Sequence, residues 1–133
     1  MLAQFLCKGE YMNFVVIRRM GGFYNVFDDD AIVLNYLCDY KVKDNRCGFP
    51  ISALNKVINI LEINKVSYIV REAGIKLKKN FNHGNKYDKI LVKGRDKYNK
   101  DIIVNKIVSI INSLSYDRQI ILLDEIEEYM DGL

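Results

Sequence analysis

A hairpin pattern near the start of the chain constrains the fold more than any other feature of the sequence. The run Phe-Val-Val-Ile-Arg-Arg at 14–19 predicts a buried strand, and the alternating run Phe-Tyr-Asn-Val-Phe at 23–27 predicts the strand beside it. Gly21-Gly22 lies between them and permits a tight turn, because glycine tolerates positive φ. Two strands joined in this way are neighbours in a sheet, so we expect a sheet and not an all-helical fold.

Helical and strand patterns alternate through the residues that follow. An acidic run opens a predicted helix at 28–38, since carboxylates favour the first turn of a helix. The remaining elements expected in this half are a short strand at 39–42, a loop at 43–50, a helix at 52–63 and a strand at 65–70. The pattern predicts an α/β fold in which a mixed β-sheet is flanked by helices.

The second half of the chain is predicted to add a hairpin and two helices. From Gly74 onward, apolar and polar residues alternate, as they do in a strand, and Asn-His-Gly-Asn at 82–85 predicts a turn. We therefore expect a lysine-rich hairpin over 75–98. The segment 101–131 has helical spacing, with Ser115 placed to cap the second of two additional C-terminal helices. The length is that of one domain, and we expect residues 1–133 to form a single one.

The charge is distributed unevenly along the chain. The formal net charge is +3, but residues 71–106 alone carry 11 basic and 4 acidic side chains, whereas residues 107–133 carry 1 and 6. A basic segment of this kind indicates an anionic partner such as DNA, or a charge match within the protein.

Several classes of protein are excluded by what the sequence lacks. The three cysteines form no Cys-x-x-Cys pair, which predicts reduced thiols in a cytoplasmic protein. No apolar run reaches the length of a membrane span, and there is no Walker A loop. With one histidine and no nucleophile–base set, we expect neither an enzyme nor a metal or cofactor.

Two motifs carry a resemblance to a known family. The first is Met-Gly-Gly-Phe-Tyr-Asn-Val-Phe-Asp-Asp-Asp-Ala at 20–31, and the second is Cys-Gly-Phe-Pro at 47–50, which precedes the predicted helix. In this order and spacing they resemble domain I of MutS, the mismatch-recognition domain of DNA mismatch repair. The resemblance covers about residues 12–74 and implies a mixed α/β domain that binds DNA. Nothing in the sequence resembles the ATPase, lever or clamp of MutS, so we expect a stand-alone module.

The resemblance also implies roles for two residues. The family inserts a Phe into the DNA stack at a mismatch and hydrogen-bonds the displaced base through a Glu two positions later. These positions are Phe23 and Asn25 here, so the ring is kept and an amide replaces the carboxylate. A ring that stacks on bases must be accessible, whereas an alternating strand is equally compatible with Phe23 in the core.

Basic residues of the predicted hairpin are the candidates for phosphate contacts. The set is Lys76, Lys78, Lys79, Lys93, Arg95 and Lys97. Nonspecific DNA binding depends on such cations, and the alternation around Leu77 predicts that Lys76 and Lys78 share one face. The alternative interpretation is an edge strand that lysines protect from aggregation.

These observations lead to one favoured function and one alternative. The favoured function is non-enzymatic binding of DNA, with distorted or mismatched duplex as the expected substrate. The alternative is a protein-interaction or assembly module without DNA binding, in which the acidic C-terminal helix contacts a second copy or another protein. We expect no membrane association under either interpretation.

Overall fold

The described residues contain one five-stranded mixed sheet. The structure is a computed structural model and describes residues 11–133. The strands are β1 (Val15–Met20), β2 (Phe23–Phe27), β3 (Arg46–Pro50), β4 (Tyr68–Arg71) and β5 (Ile75–Lys79), in the order β3-β2-β1-β4-β5. Strand β1 pairs antiparallel with β2 and parallel with β4, and the two outer pairs are antiparallel.

The predicted hairpin at the start of the chain is confirmed. Strands β1 and β2 are adjacent, with Met20 opposite Phe23 at the last pair before the turn. Gly21 adopts φ 66°, a backbone conformation that disfavours side chains with a Cβ. The glycine turn therefore sets the register of the hairpin.

Between residues 11 and 133, four α-helices accompany the sheet. They are α1 (Asp29–Cys38), α2 (Leu54–Ile63), α3 (Tyr87–Ser113) and α4 (Tyr116–Asp131), and a 3-10 turn at Ile51–Ala53 leads into α2. Ser115 caps α4 as predicted, since its Oγ accepts a hydrogen bond from the backbone N–H of Arg118 at 3.4 Å. No helix in residues 11–133 is long and apolar enough to cross a membrane.

The helices α1 and α2 and the start of α3 pack on one face of the sheet. Alternate residues of β1 to β4 point into this core, which contains Val15, Ile17, Tyr24, Val26, Cys47, Phe49, Tyr68 and Val70. The intervening residues point to the opposite side of the sheet. We call this side the outer face; Phe23 and Asn25 lie on it because they alternate with the buried Tyr24 and Val26.

A buried carboxylate joins three elements of this core. Asp30, in the first turn of α1, accepts a hydrogen bond from the backbone N–H of Val16 at 3.1 Å. It also accepts one from the Tyr87 hydroxyl of α3 at 2.5 Å. Burial, followed by the charge of Asp30, raises the pKa of Tyr87. Tyr87 therefore stays a neutral hydrogen-bond donor, which is what a buried carboxylate requires.

The predicted basic hairpin over 75–98 is wrong in its second half. Strand β5 forms, but it pairs with β4 at the edge of the sheet, and the expected returning strand belongs to α3. Tyr87, Ile90, Leu91 and Gly94 are buried at helical spacing, while Val92 is exposed. A short apolar run has no distinctive period, so the three consecutive residues 90–92 were compatible with either element.

The expected strand at 39–42 and loop at 43–50 are also wrong. The strand is β3, which begins at Arg46, and Asp39–Val42 is irregular. A two-residue turn precedes it, with φ 53° at Asp44 and 59° at Asn45. Asp and Asn tolerate this conformation better than most residues, and such turns match the twist of paired strands.

The described part of the chain divides into two compact units, with the boundary between Tyr98 and Asn99, inside α3. In the first unit Gly94 of α3 lies against α1, where a Cβ would stand 3.1 Å from Ile32 Cγ2 and 3.3 Å from the Ile32 carbonyl oxygen. In the second unit the rest of α3 and α4 form a helical hairpin, in which Gln119 Nε2 donates to the Ile111 carbonyl oxygen at 2.7 Å.

Candidate nucleic-acid interface

Phe23 is exposed on the outer face, directly after the glycine turn. The residue is 55% exposed, although its neighbours in the strand are buried. It stands between Met20 of β1 and Pro50 of β3 in the sheet register, and Met20 is also exposed. An exposed aromatic ring beside a flexible thioether can contact the flat face of a base.

Asn25 lies deeper on the same face, two residues along the strand. It is only 8% exposed, and it stands in register between Arg18 of β1 and Gly48 of β3. A Cβ at Gly48 would stand 3.0 Å from Asn25 Oδ1, so the absence of a side chain there leaves room for the amide. Among residues 11–133, the Asn25 amide has no hydrogen-bond partner. Its polar atoms are therefore available to a ligand that enters beside Phe23.

An open groove of about 590 Å³ joins these two residues to a cluster of cations. Its lining consists of Met20, Phe23, Asn25, Lys41, Lys43, Asp44, Arg46 and Gly48. Within the described part of the chain, none of its three cations forms an ion pair with a carboxylate. The groove thus combines an aromatic ring, an amide and a net positive charge.

The turn before β3 holds two of these cations side by side. Lys43 and Arg46 exchange backbone hydrogen bonds of 2.9 and 3.1 Å across the Asp44-Asn45 turn. Like charges at directly opposite positions in a sheet disfavour each other. The turn therefore concentrates positive charge at the rim of the groove, an arrangement that an anionic ligand would stabilise.

Lys76 lies elsewhere and its charge is paired. Its Nζ contacts Glu72 Oε2 at 2.7 Å, and Arg19 contacts the other oxygen of the same carboxylate at 2.8 Å. The Tyr24 hydroxyl also donates a hydrogen bond to Glu72. The hydrogen bonds from Lys76, Tyr24 and Arg19, in that order, lower the pKa of Glu72 to about 2. Lys76 is thus part of an ion-pair network on the helix-covered side.

The lysines of β5 do not share one face as the alternation predicted. A bulge shifts the register between β4 and β5, so that Lys78 is opposite Ile69 whereas Ile75 is opposite Arg71. Lys78 lies over the ring of Tyr11, with its Nζ 4.9 Å from the centroid, and Lys76 turns to the other side. Lys79 lies over the ring of Phe81 at 5.5 Å.

The last three basic candidates belong to α3 and not to a hairpin. Arg95 forms an ion pair with Asp29 of α1 at 2.9 Å, and Lys93 and Lys97 are exposed on the same helix. None of the three lines the groove beside Phe23. The structure therefore brings Phe23 and Asn25 together but separates them from the six cations chosen from the sequence.

The cations predicted from the sequence do not include Lys41, Lys43 and Arg46, because 39–42 was expected to be a strand and 43–50 a loop. The available signal was an Asp-Asn pair, typical of a two-residue turn, between two basic residues. Since β3 pairs with β2, any cation at this turn lies near the end of the groove.

Comparison with known proteins identifies the family. A search of curated proteins finds no match to the chain. A family model for MutS domain I, a non-catalytic DNA-binding domain, matches residues 1–73. The match spans more than half of the 133 residues and includes the glycine turn, Phe23, Asn25 and the strand β3 that forms the groove. The chain therefore belongs to the MutS domain I family.

Proposed function

We propose that this protein binds duplex DNA through the groove on the outer face of its sheet and prefers distorted or mismatched duplex. Phe23 acts as the wedge. The single observation that carries the proposal is its exposed ring at the end of a groove whose cations form no ion pair with a carboxylate of residues 11–133. A buried Phe23 would be a core residue and could not reach a base.

The wedge requires a ring that can reach a base step and a support that keeps it in place. The exposed ring of Phe23 meets the first requirement, and its position in β2, between Met20 of β1 and Pro50 of β3, meets the second. Insertion of an apolar side chain unstacks a base step and kinks the duplex. A mismatched step costs less to unstack, which is the source of the proposed preference.

Asn25 is the proposed contact to a base edge or to the sugar–phosphate backbone. Its amide offers both a donor and an acceptor, so it can read either kind of group on a displaced base. A carboxylate at this position accepts hydrogen bonds only. We therefore expect Asn25 to discriminate less between bases than the Glu of the family does.

Lys41, Lys43 and Arg46 are the proposed phosphate contacts. A cation without a carboxylate partner can bind a phosphate by releasing a counterion, and no ion pair within the protein has to break. Lys76 and Arg95 are not assigned this role, because each already forms an ion pair with a carboxylate of the protein. We keep Lys78, Lys79, Lys93 and Lys97 as secondary contacts that extend the basic surface beyond the groove.

The test is the salt dependence of DNA binding, measured by fluorescence anisotropy on perfect and single-mismatch duplexes. We expect the dissociation constant to rise steeply with salt, and Lys43→Ala to reduce the slope of its logarithm by about 1. Lys56→Ala is the matched control, since Lys56 is an exposed lysine of α2 that does not line the groove. Equal effects of the two variants would reject the groove as the interface.

The second candidate function is a protein-interaction or assembly module that does not bind DNA. The observation that favours it is the helical hairpin 99–133, in which no residue is buried. Absence of DNA binding even at about 50 mM salt would support this alternative, because electrostatic binding is strongest there.

A further inference from the structure

The helical hairpin formed by 99–133 has no core of its own. None of its residues is buried, and the half-buried ones are Ile111, Leu114, Gln119 and Leu122, all near the turn between the helices. Of the 22 large apolar side chains exposed in residues 11–133, 14 lie between residues 102 and 133. Elements with apolar faces must bury them against another element to be stable, and these two helices do not do so alone.

The helix α4 has an apolar arc that is too wide for one neighbour. At 3.6 residues per turn, its apolar side chains cover about half of the circumference. The arc consists of Tyr116, Ile120, Leu122, Leu123, Ile126, Tyr129 and Met130, with Gln119 and Glu127 as the polar residues inside it. Such an arc fits a helix that packs against two neighbours, as helices in a four-helix bundle do.

The two edges of this arc differ in exposure. Leu122 is half-buried and marks the edge that contacts α3 within the same hairpin, close to the Gln119–Ile111 hydrogen bond. Leu123 is 52% exposed and, with Tyr116 and Ile120, marks the other edge. Among the residues that the structure describes, nothing covers this second edge.

The segment 99–113 of α3 has a matching apolar arc. Its exposed members are Ile103, Val104, Ile107, Val108 and Ile110. The polar residues Asn105, Lys106 and Ser109 lie on the opposite side. The hairpin therefore presents two apolar arcs that are each wider than the contact between its own helices.

We propose that a second copy of this chain covers these arcs, so that two hairpins form a four-helix bundle with two-fold symmetry. One hairpin exposes 14 large apolar side chains, and a standard interface, in which each partner buries roughly 800 Å², is formed by about 20–30 residues a side. A self-complementary interface of this kind closes after two copies, so assembly stops at the dimer.

Charge decides how the helices are arranged in the dimer. Helix α4 carries 6 acidic side chains and 1 basic one, whereas 99–113 carries 2 basic and 1 acidic. Two α4 helices side by side would repel each other, so each α4 packs against 99–113 of the partner copy, and the two α4 helices lie on a diagonal. Most carboxylates of α4 lie opposite the apolar arc and stay in water.

The test is the mass of the full chain in solution, measured by sedimentation equilibrium from about 10 to 100 µM, where mass action shows whether a dimer forms. We expect twice the 15.5 kDa of the chain. Leu123→Asp is expected to raise the dissociation constant of the dimer by about 100-fold or more, because it buries a charge in the interface. Ile121→Asp is the matched control: Ile121 is 58% exposed, but it lies among the carboxylates outside the arc.

A wild-type protein that stays monomeric over this range would overturn the proposal, whichever other protein it binds. Equal effects of the two Asp variants would overturn it as well. Far-UV circular dichroism shows whether each variant keeps its helices; if Leu123→Asp does not, Ile120→Asp on the same edge replaces it.

Discussion

Replacement of Phe23 by Ala tests whether this residue is a wedge that enters the DNA stack or a residue of the core. A ring that stacks on a base contributes about 1–3 kcal/mol to binding, so Phe23→Ala should weaken binding to mismatched duplex by roughly 5- to 150-fold. On perfect duplex the loss of affinity should be smaller. A correctly paired step costs more to unstack, so the ring inserts less readily even in the wild-type protein.

The effect on stability should be small. Full burial of a Phe side chain contributes about 1.5–3 kcal/mol, and a residue that is 55% exposed keeps less than half of that, or about 1 kcal/mol. Phe49 is the contrasting position: it is 1% exposed, and its replacement by Ala should cost about 3–5 kcal/mol. Urea denaturation of both variants measures this difference directly.

The assay is anisotropy titration of Phe23→Ala and wild type on duplexes that differ by one mismatch. Ile63→Ala is the control, since Ile63 is an exposed apolar residue at the end of α2 that does not line the groove. Phe23 is not a wedge if Phe23→Ala binds both duplexes like wild type, or if the variant unfolds. Asn25→Glu restores the residue of the family, and a higher mismatch preference is expected if the groove is otherwise competent.

Three further predictions concern the framework of the site. Glu72→Gln should make the free energy of unfolding depend less on pH in acid. Because the fold lowers the pKa of Glu72, the ionised carboxylate stabilises the protein above pH 4.5, and this stabilisation is lost as the pH falls towards 2. Urea midpoints measured at several pH values across this range test the prediction. Tyr87→Phe should cost about 1–3 kcal/mol in urea denaturation, because Asp30 stays buried and loses a donor. Gly94→Ala should lower the thermal midpoint, with a net cost of about 1 kcal/mol, since overpacking against the Ile32 carbonyl outweighs the gain in helix propensity.

Part of the architecture could be read from local patterns. The hairpin at 15–27 depends on a glycine turn and on alternation, and the cap at Ser115 depends on a single side chain and the next turn of helix. Interactions between residues close in sequence determine such features, so they need no knowledge of the rest of the fold. The resemblance to MutS domain I likewise depends on contiguous motifs, which the family match confirms.

The composition of the groove was decided by tertiary structure. Lys43 and Arg46 join Phe23 because β3 pairs with β2 in one particular register, and no local pattern specifies which strand lies beside which. In the same way, Lys76 leaves the predicted basic face because a bulge in β5 turns it towards Glu72. The sequence by itself determined that a strand begins with an aromatic residue after a glycine turn. Only the pairing of strands distant in the chain decided which charges surround that ring, because side-chain neighbours across a sheet depend on register and not on sequence spacing.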